Sequence, residues 1–278
     1  MVHNLPDVDT SLLQGALHRF LAEELRASGL SGYVVGLSGG VDSAVSAALA
    51  AAAVTPDRVT CLALPGPGSS AESLDHALLV AETFGLRLEV IDLAAAGHQV
   101  GDTLGAREDR LRFGNIMARL RMIALFDRAR RDGLLVAGTS NKSEILLGYS
   151  TLFGDSACSA NPLGDVWKTH VFALARSLRV PEAVVAKPPT ADLWPGQTDA
   201  DELGFDYRDA DPILHGHHEL GWGRDELVAA GFPGALVEAV MSAYRRNRFK
   251  WRPAVVARVS TSAINIDRIL PRNPHSTR

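Results

Sequence analysis

The stretch Gly36-Leu37-Ser38-Gly39-Gly40-Val41-Asp42-Ser43 constrains this chain more than any other, because an aliphatic run (Tyr33 to Leu37) leads into it and an alanine-rich helical run (42–53) leads out. Two adjacent glycines allow a tight turn whose N–H groups point outward, and a helix start adds partial positive charge. Strand, glycine turn and helix in that order open a parallel α/β sheet. The alternation continues: Arg58 to Leu64, Leu86 to Ile91 and Leu134 to Ala137 are further β-branched or aliphatic runs, separated by helical stretches at 70–84 and 107–131. Leu12, Leu13, Ala16, Leu17, Phe20, Leu21 and Leu25 recur at helical spacing, so about 9–29 reads as an amphipathic helix that precedes the sheet. The expected fold class is α/β, a doubly wound parallel sheet with helices on both faces. Ligands of such sheets sit beyond the carboxyl ends of the strands, so motifs after Leu37, Leu64 and Ala137 share one edge.

At 278 residues the chain is long enough for one large α/β domain or two small ones. One domain over 1–278 is expected, with 187–205 as a lid loop and 247–278 as a C-terminal arm. Hydrophobic residues make up 46% and charged residues 22%, the balance of a folded soluble chain. A net charge of −4 offers no global attraction to nucleic acid or to an anionic membrane, and neither is expected as a partner. No run approaches the roughly 20 apolar residues of a membrane span, and the N-terminus lacks a signal-peptide pattern. Cys61 and Cys158 are too few for a disulfide framework and fit a reducing compartment, so a cytoplasmic location is expected. Only four of the 28 basic residues are lysines: Lys142, Lys168, Lys187 and Lys250.

The glycine turn is neither a Walker A loop nor a dinucleotide G-x-G-x-x-G, yet it suits a phosphate or pyrophosphate, with Ser38 and Ser43 as further hydroxyl donors. The plainer reading is a strand-to-helix turn in which Asp42 offsets the helix dipole. A second cluster, Gly138-Thr139-Ser140-Asn141-Lys142-Ser143-Glu144, has the spacing of a capping box from Asn141 to Glu144. In the helix at 107–131, Phe113, Ile116, Leu120 and Ile123 form an apolar stripe that Arg112 and Arg119 border. Arginines beside a buried stripe are the better anion ligands, since the guanidinium fork binds anions bidentately. His215-Gly-His217-His218 lacks carboxylate or cysteine partners at metal spacing and reads as a helix end or polar loop. Cys61, within a strand, reads as core.

The order S-G-G-x-D-S resembles the ATP-pyrophosphatase superfamily, which cleaves ATP between its α and β phosphates and adenylates a substrate. An acid inside the phosphate loop suits that work, because Asp42 is placed to hold Mg²⁺ against the departing pyrophosphate. Asn115 to Ala124, Gly138-Thr139 with Glu144, Phe153-Gly154-Asp155, Asn161-Pro162-Leu163, Lys168-Thr169, Lys187 to Leu193 and Gln197-Thr198-Asp199 with Glu202-Leu203-Gly204 narrow the likeness. Together and in this order, from about residue 10 to 253, they resemble the NAD synthetase family. The resemblance implies an adenine-nucleotide α-hydrolase-like fold and a ligase that uses MgATP to adenylate deamido-NAD, after which ammonia displaces AMP. It assigns Gly36, Leu37, Ser38, Gly39, Gly40, Val41, Asp42, Ser43, Thr139, Lys168 and Thr190 to ATP, Asp42 and Glu144 to Mg²⁺, Arg119 and Lys250 to deamido-NAD, and catalysis to Asp42 and Lys168. A homodimer is implied as well.

Three positions depart from the family pattern. Leu152 stands where a basic residue is frequent, Ser159 where an acid is usual, and Phe249 precedes Lys250 where histidine is frequent. All three are expected to bear on the acceptor rather than on ATP. Only 37 residues precede Ser38, too few for an amidohydrolase domain, and neither cysteine has a glutaminase context, so ammonia is the expected nitrogen donor. Two other readings stay open: an ATP-pyrophosphatase that amidates another carboxylate, and a nucleotide-binding module without chemistry.

Overall fold

The computed structural model describes residues 4–194, 196–251 and 256–262. Most of the expected arm at 247–278 therefore lies outside the described residues. In chain order the first half comprises α1 (Thr10–Ser28), β1 (Gly32–Gly36), α2 (Val41–Val54), β2 (Val59–Ala63), α3 (Ala71–Phe84), β3 (Arg87–Val90), α4 (Ala94–Thr103), α5 (Arg110–Asp132) and β4 (Leu134–Ala137). The second half is helical: α6 (Lys142–Leu147), α7 (Lys168–Ser177), α8 (Glu182–Ala186), α9 (Asp199–Leu203), α10 (Tyr207–His218), α11 (Arg224–Ala229) and α12 (Gly234–Arg246). Asp9 caps the start of α1 by accepting from Ser11 and Leu12, and Gly29 ends it in the left-handed region at φ 69°.

The strands pair in parallel in the order β3-β2-β1-β4. Chain direction across the sheet reverses between β1 and β4, so the two loops that leave these strands open the crevice where a doubly wound sheet binds its ligand. Side-chain alternation assigns each face a core. Tyr33, Val35, Cys61, Ala63, Leu135 and Ala137 pack with residues of α1, α2 and α7. Val34, Leu62, Leu64 and Val136 face the other way, against Ala129 and Leu125 of α5. The expected strands and flanking helices are present with bounds within three residues, and α4 is an addition that the apolar pattern at 94–103 did not suggest.

Helix α2 is buried along most of its length, from Val41 through Ala51 save Asp42, which is half-buried. It is sandwiched between the sheet and helices α1 and α7, and its alanines let all three approach closely. Cys61 is fully buried, and burial pushes its thiol up to about 12, so it belongs to the core as expected.

The stripe expected along α5 is not the buried one. Ile123 is 56% exposed, whereas Gly114, Met117, Ala118, Arg128 and Ala129 turn inward. The inner face carries small residues because a loop lies directly over it: a Cβ on Gly114 would stand 3.0 Å from the Leu193 side chain. A third apolar cluster joins α6, α10, α11 and α12 through Leu147, Trp167, Tyr207, Ile213, Leu227 and Val240. The histidine run forms the last turn of α10, a helix end as expected, where His217 Nδ1 pairs with the Trp222 carbonyl and His218 Nδ1 with the Tyr244 hydroxyl. Among the described residues no helix is long and apolar enough to cross a membrane.

Candidate active site

The glycine turn after β1 takes its shape from two constraints at Gly39. Its φ of 78° is left-handed, and a Cβ there would lie 2.1 Å from the Ser73 carbonyl oxygen of α3. Gly40 then serves as N-cap of α2 without a side-chain partner. The serines of the turn bond chiefly to the turn itself: Ser43 Oγ donates to the Gly40 carbonyl at 2.9 Å and accepts from Ser38 N at 3.2 Å, and the two hydroxyls lie 3.1 Å apart. The turn's shape is thus held by its own hydrogen bonds.

Lys168 opens α7 and sends its side chain, only 2% exposed, to the start of α2. Its Nζ lies 2.5 Å from Asp42 Oδ2 and 3.2 Å from Glu144 Oε1, with the Tyr207 ring centroid at 5.3 Å. Burial by itself would lower the lysine's pKa, but Asp42, Glu144 and Asp199 outweigh it and raise it, so the ammonium stays charged. Glu144 is pushed up to about 8, first by burial and then by the charge of Asp42, with Lys168 opposing. The capping box is present too: Glu144 N donates to Asn141 Oδ1 at 3.0 Å and Asn141 N to Glu144 Oε2 at 3.2 Å. The capping box uses only one carboxylate oxygen of Glu144, Oε2, and leaves Oε1 to meet Lys168.

These groups line one cleft of about 460 Å³ at the carboxyl edge of the sheet. Of the residues assigned from the sequence, Gly36, Leu37, Ser38, Gly40, Val41, Asp42, Ser43, Thr139, Glu144, Lys168, Thr190 and Lys250 line it. Gly39 lies behind the loop, against α3. Lys250 donates to the carbonyls of Gly148 and Ser150 at 2.7 Å each, and burial lowers its pKa against the opposing charge of Asp155. Arg119 is not brought to this cleft. It is exposed on the outer side of α5, donates to the Leu152 carbonyl at 3.2 Å, and lines a smaller recess with Leu104 and Ile116.

The arginine inside the cleft is Arg121, which donates to the Leu64 carbonyl and to Ser69 Oγ, both at 3.1 Å. Sequence reading passed over it, although it shares the helical face of Gly114, Met117, Ala118 and Leu125, and that small-residue face was the available signal. Asn141 was assigned only as a cap, yet its Nδ2 also donates to Asp42 Oδ1 at 2.9 Å. Asp199, buried in the wall of the cleft, accepts from Tyr207 OH at 3.1 Å. None of Leu152, Ser159 and Phe249 lines the cleft. Ser159 instead accepts from Val136 N at the edge of β4, and Phe249 is 66% exposed.

The segment after α8 lies across the cleft. Lys187 Nζ donates to Ser73 Oγ at 2.7 Å, Ser70 N donates to Asp192, and Leu193 N donates to Gln197 Oε1 at 2.8 Å. A Cβ on Gly68 would lie 2.1 Å from the Leu193 carbonyl oxygen, so the β2–α3 loop and this segment touch backbone to backbone. Thr190 faces the cleft and accepts from Asp192 N at 3.0 Å.

Known proteins resemble this chain over nearly its whole length. The family model described as NAD synthase matches residues 13–254. An NH(3)-dependent NAD(+) synthetase of Chlorobaculum tepidum is 43% identical over 261 residues, 93% of either chain. Among solved structures, an NMN synthetase from Francisella tularensis superposes with a TM-score of 0.80 at 31% identity, covering 90% of this chain and 99% of that one. An NH3-dependent NAD synthetase from Campylobacter jejuni, in complex with nitrate, gives 0.74 at 29% identity, covering 90% and 100%. The sheet and its helices are those of the adenine-nucleotide α-hydrolase fold. Matched by the family model over residues 13–254, the chain belongs to the NAD synthase family.

Proposed function

We propose that this chain is an ammonia-dependent NAD synthetase, a ligase that converts deamido-NAD, ATP and ammonia to NAD, AMP and pyrophosphate. The observation that carries the reading is Lys168, whose buried ammonium meets Asp42 and Glu144 beside the glycine turn. In the first step a carboxylate oxygen of the acceptor bonds to the α-phosphorus of ATP, and the bond to the pyrophosphate oxygen breaks. In the second, ammonia attacks the activated carbonyl carbon, the bond to the AMP oxygen breaks, and a proton is released. Both reactants of the first step are anions, so fixed positive charge lowers its barrier. Lys168 supplies such charge in a site that keeps it protonated, and the first-turn N–H groups of α2, at Val41, Asp42 and Ser43, supply oriented dipoles.

The donor set fits Mg²⁺. Asp42 Oδ2 and Glu144 Oε1 both face the Lys168 ammonium, so a divalent ion beside it would draw two carboxylates from the protein. Two carboxylates, with phosphate oxygens and water filling the remaining positions, are what Mg²⁺ accepts beside a nucleotide. Bound there, the ion offsets charge on the triphosphate and on the leaving pyrophosphate.

A second acceptor has a specific ground: the structural neighbour from Francisella tularensis carries the name NMN synthetase. Its implied acceptor, nicotinate mononucleotide, presents the same carboxylate as deamido-NAD without the adenylate half. We also assign the chain to the cytoplasm as a homodimer. The dimer is supported by Ile123 and Phe126, which are 56% and 38% exposed on the same side of α5 as Arg119. If Arg119 serves the acceptor, the acceptor must extend to that face.

The test measures AMP and pyrophosphate release from MgATP and ammonium with deamido-NAD, with nicotinate mononucleotide, and with neither. Release that depends on deamido-NAD, with NAD formed, is expected, and Asp42→Ala and Glu144→Ala abolish it in folded protein. Turnover with the mononucleotide alone replaces the acceptor. Turnover with neither overturns the reading.

A further inference from the structure

Asp211 stands outside the cleft, fully buried on α10, and no role in the reaction described above involves it. Its carboxylate accepts three hydrogen bonds. Oδ1 takes the Ser143 hydroxyl at 2.6 Å, while Oδ2 takes Thr169 N at 2.9 Å and the Thr169 hydroxyl at 2.7 Å. Ser143 Oγ in turn accepts from Lys168 N at 2.9 Å. These bonds meet a need created by the sequence at the start of α7. A helix leaves its first N–H groups without internal partners, and its N-cap side chain ordinarily satisfies one of them. Here the N-cap is Trp167, which makes no capping bond. The N–H groups of Lys168 and Thr169 are instead satisfied from two other helices, by Ser143 of α6 and Asp211 of α10.

The consequence reaches the cleft. Ser143 precedes Glu144 in α6, and Lys168 precedes Thr169 in α7, so one carboxylate ties together the backbones that carry the two groups meeting at Asp42. One turn earlier on α10, Tyr207 lays its ring 5.3 Å from Lys168 Nζ. Burying a carboxylate costs stability unless hydrogen bonds compensate, and these three go to α6 and to the first turn of α7. We infer that Asp211 is a positioning residue for adenylation, which sets the distance between Lys168 and Glu144 and thereby the affinity for MgATP. The inference rests on the ATP-dependent reading of the cleft.

The test is calorimetric titration of the full-length protein with ATP and MgCl₂, which needs no acceptor, beside steady-state kinetics and thermal melts. Asp211→Ala is expected to weaken MgATP binding about tenfold or more with little change in the KM for ammonium. Asp211→Asn is expected to restore binding to within about threefold of wild type, because its Oδ1 still accepts from Thr169 while its Nδ2 donates to Ser143 Oγ. Ser143→Ala, which leaves Lys168 N without an acceptor, is expected to weaken binding as Asp211→Ala does, and the double variant to be no weaker than the worse single one. A purely structural residue would lower the melting temperature of Asp211→Ala and leave the MgATP Kd of the folded protein within twofold of wild type. That result overturns the inference. Should Asp211→Ala fail to fold, Ser143→Ala decides by the same criterion. Wild-type protein that binds MgATP but does not turn over with deamido-NAD or the mononucleotide refutes the proposed reaction and leaves this comparison standing.

Discussion

Asn141 donates from Nδ2 to Asp42 Oδ1 at 2.9 Å, across 99 residues of chain, while its own Oδ1 accepts from Glu144 N at 3.0 Å. One fully buried amide thus caps the helix that carries one carboxylate of the site and orients the other. The two jobs are separable. Serine is a good N-cap but too short to reach Asp42, so Asn141→Ser is expected to melt near wild type and to lose about tenfold in turnover, the value of one hydrogen bond to a charged group. Asn141→Ala is expected to lose about 1 kcal/mol of stability as well. Wild-type turnover in the serine variant would show that the contact to Asp42 does not serve the reaction.

The two glycines of the phosphate turn are not equivalent. Alanine at Gly39 meets both a left-handed φ, worth about 1–2 kcal/mol, and the Ser73 carbonyl at 2.1 Å. Alanine at Gly40 meets only Ser38 Oγ, at 3.4 Å, with φ at −90°. Gly39→Ala is therefore expected to depress both the melting temperature and ATP affinity, and Gly40→Ala to have the smaller effect on stability. Thermal melts and ATP titrations on the pair check the order, and equal destabilisation would contradict the packing argument.

Acid stability depends in part on Glu89. Its hydrogen bond from the buried Arg128, joined by the charges of Arg128 and Arg87, holds its carboxyl below the usual range in spite of desolvation. A depressed folded pKa contributes stability that is complete above the unfolded glutamate value, about 4.3, and is lost as pH falls through the lower folded value. Glu89→Gln is expected to melt about 2–4 °C below wild type at pH 7, with the gap closing below about pH 4. A gap that stays constant between pH 7 and pH 3 would remove the ion pair from the account.

Local pattern made much of this protein legible. The glycine turn between an aliphatic run and an alanine run, the alternating strands and the Asn141–Glu144 spacing each depend on residues close in sequence, where backbone geometry acts directly. Family resemblance then selected Lys168 and Lys250 from a chain rich in arginine, and both line the cleft. Counting apolar residues failed on α5, since the face turned inward mixes Met117 and Leu125 with glycine, alanine and two arginines. That face is set by the loop that crosses it, and so Arg121 faces the cleft where Arg119 does not.

What the amino-acid order determined by itself is the class of fold, the edge of the sheet that holds the cleft and the chemical types gathered there. Tertiary structure alone decided which carboxylate oxygen meets Lys168, which arginine enters the cleft and how α7 is capped from α6 and α10. The physical reason is range. Turns, caps and strand alternation arise from neighbours a few bonds apart, whereas a buried ion pair between residues 126 positions apart exists only once the sheet and the helical cluster have packed.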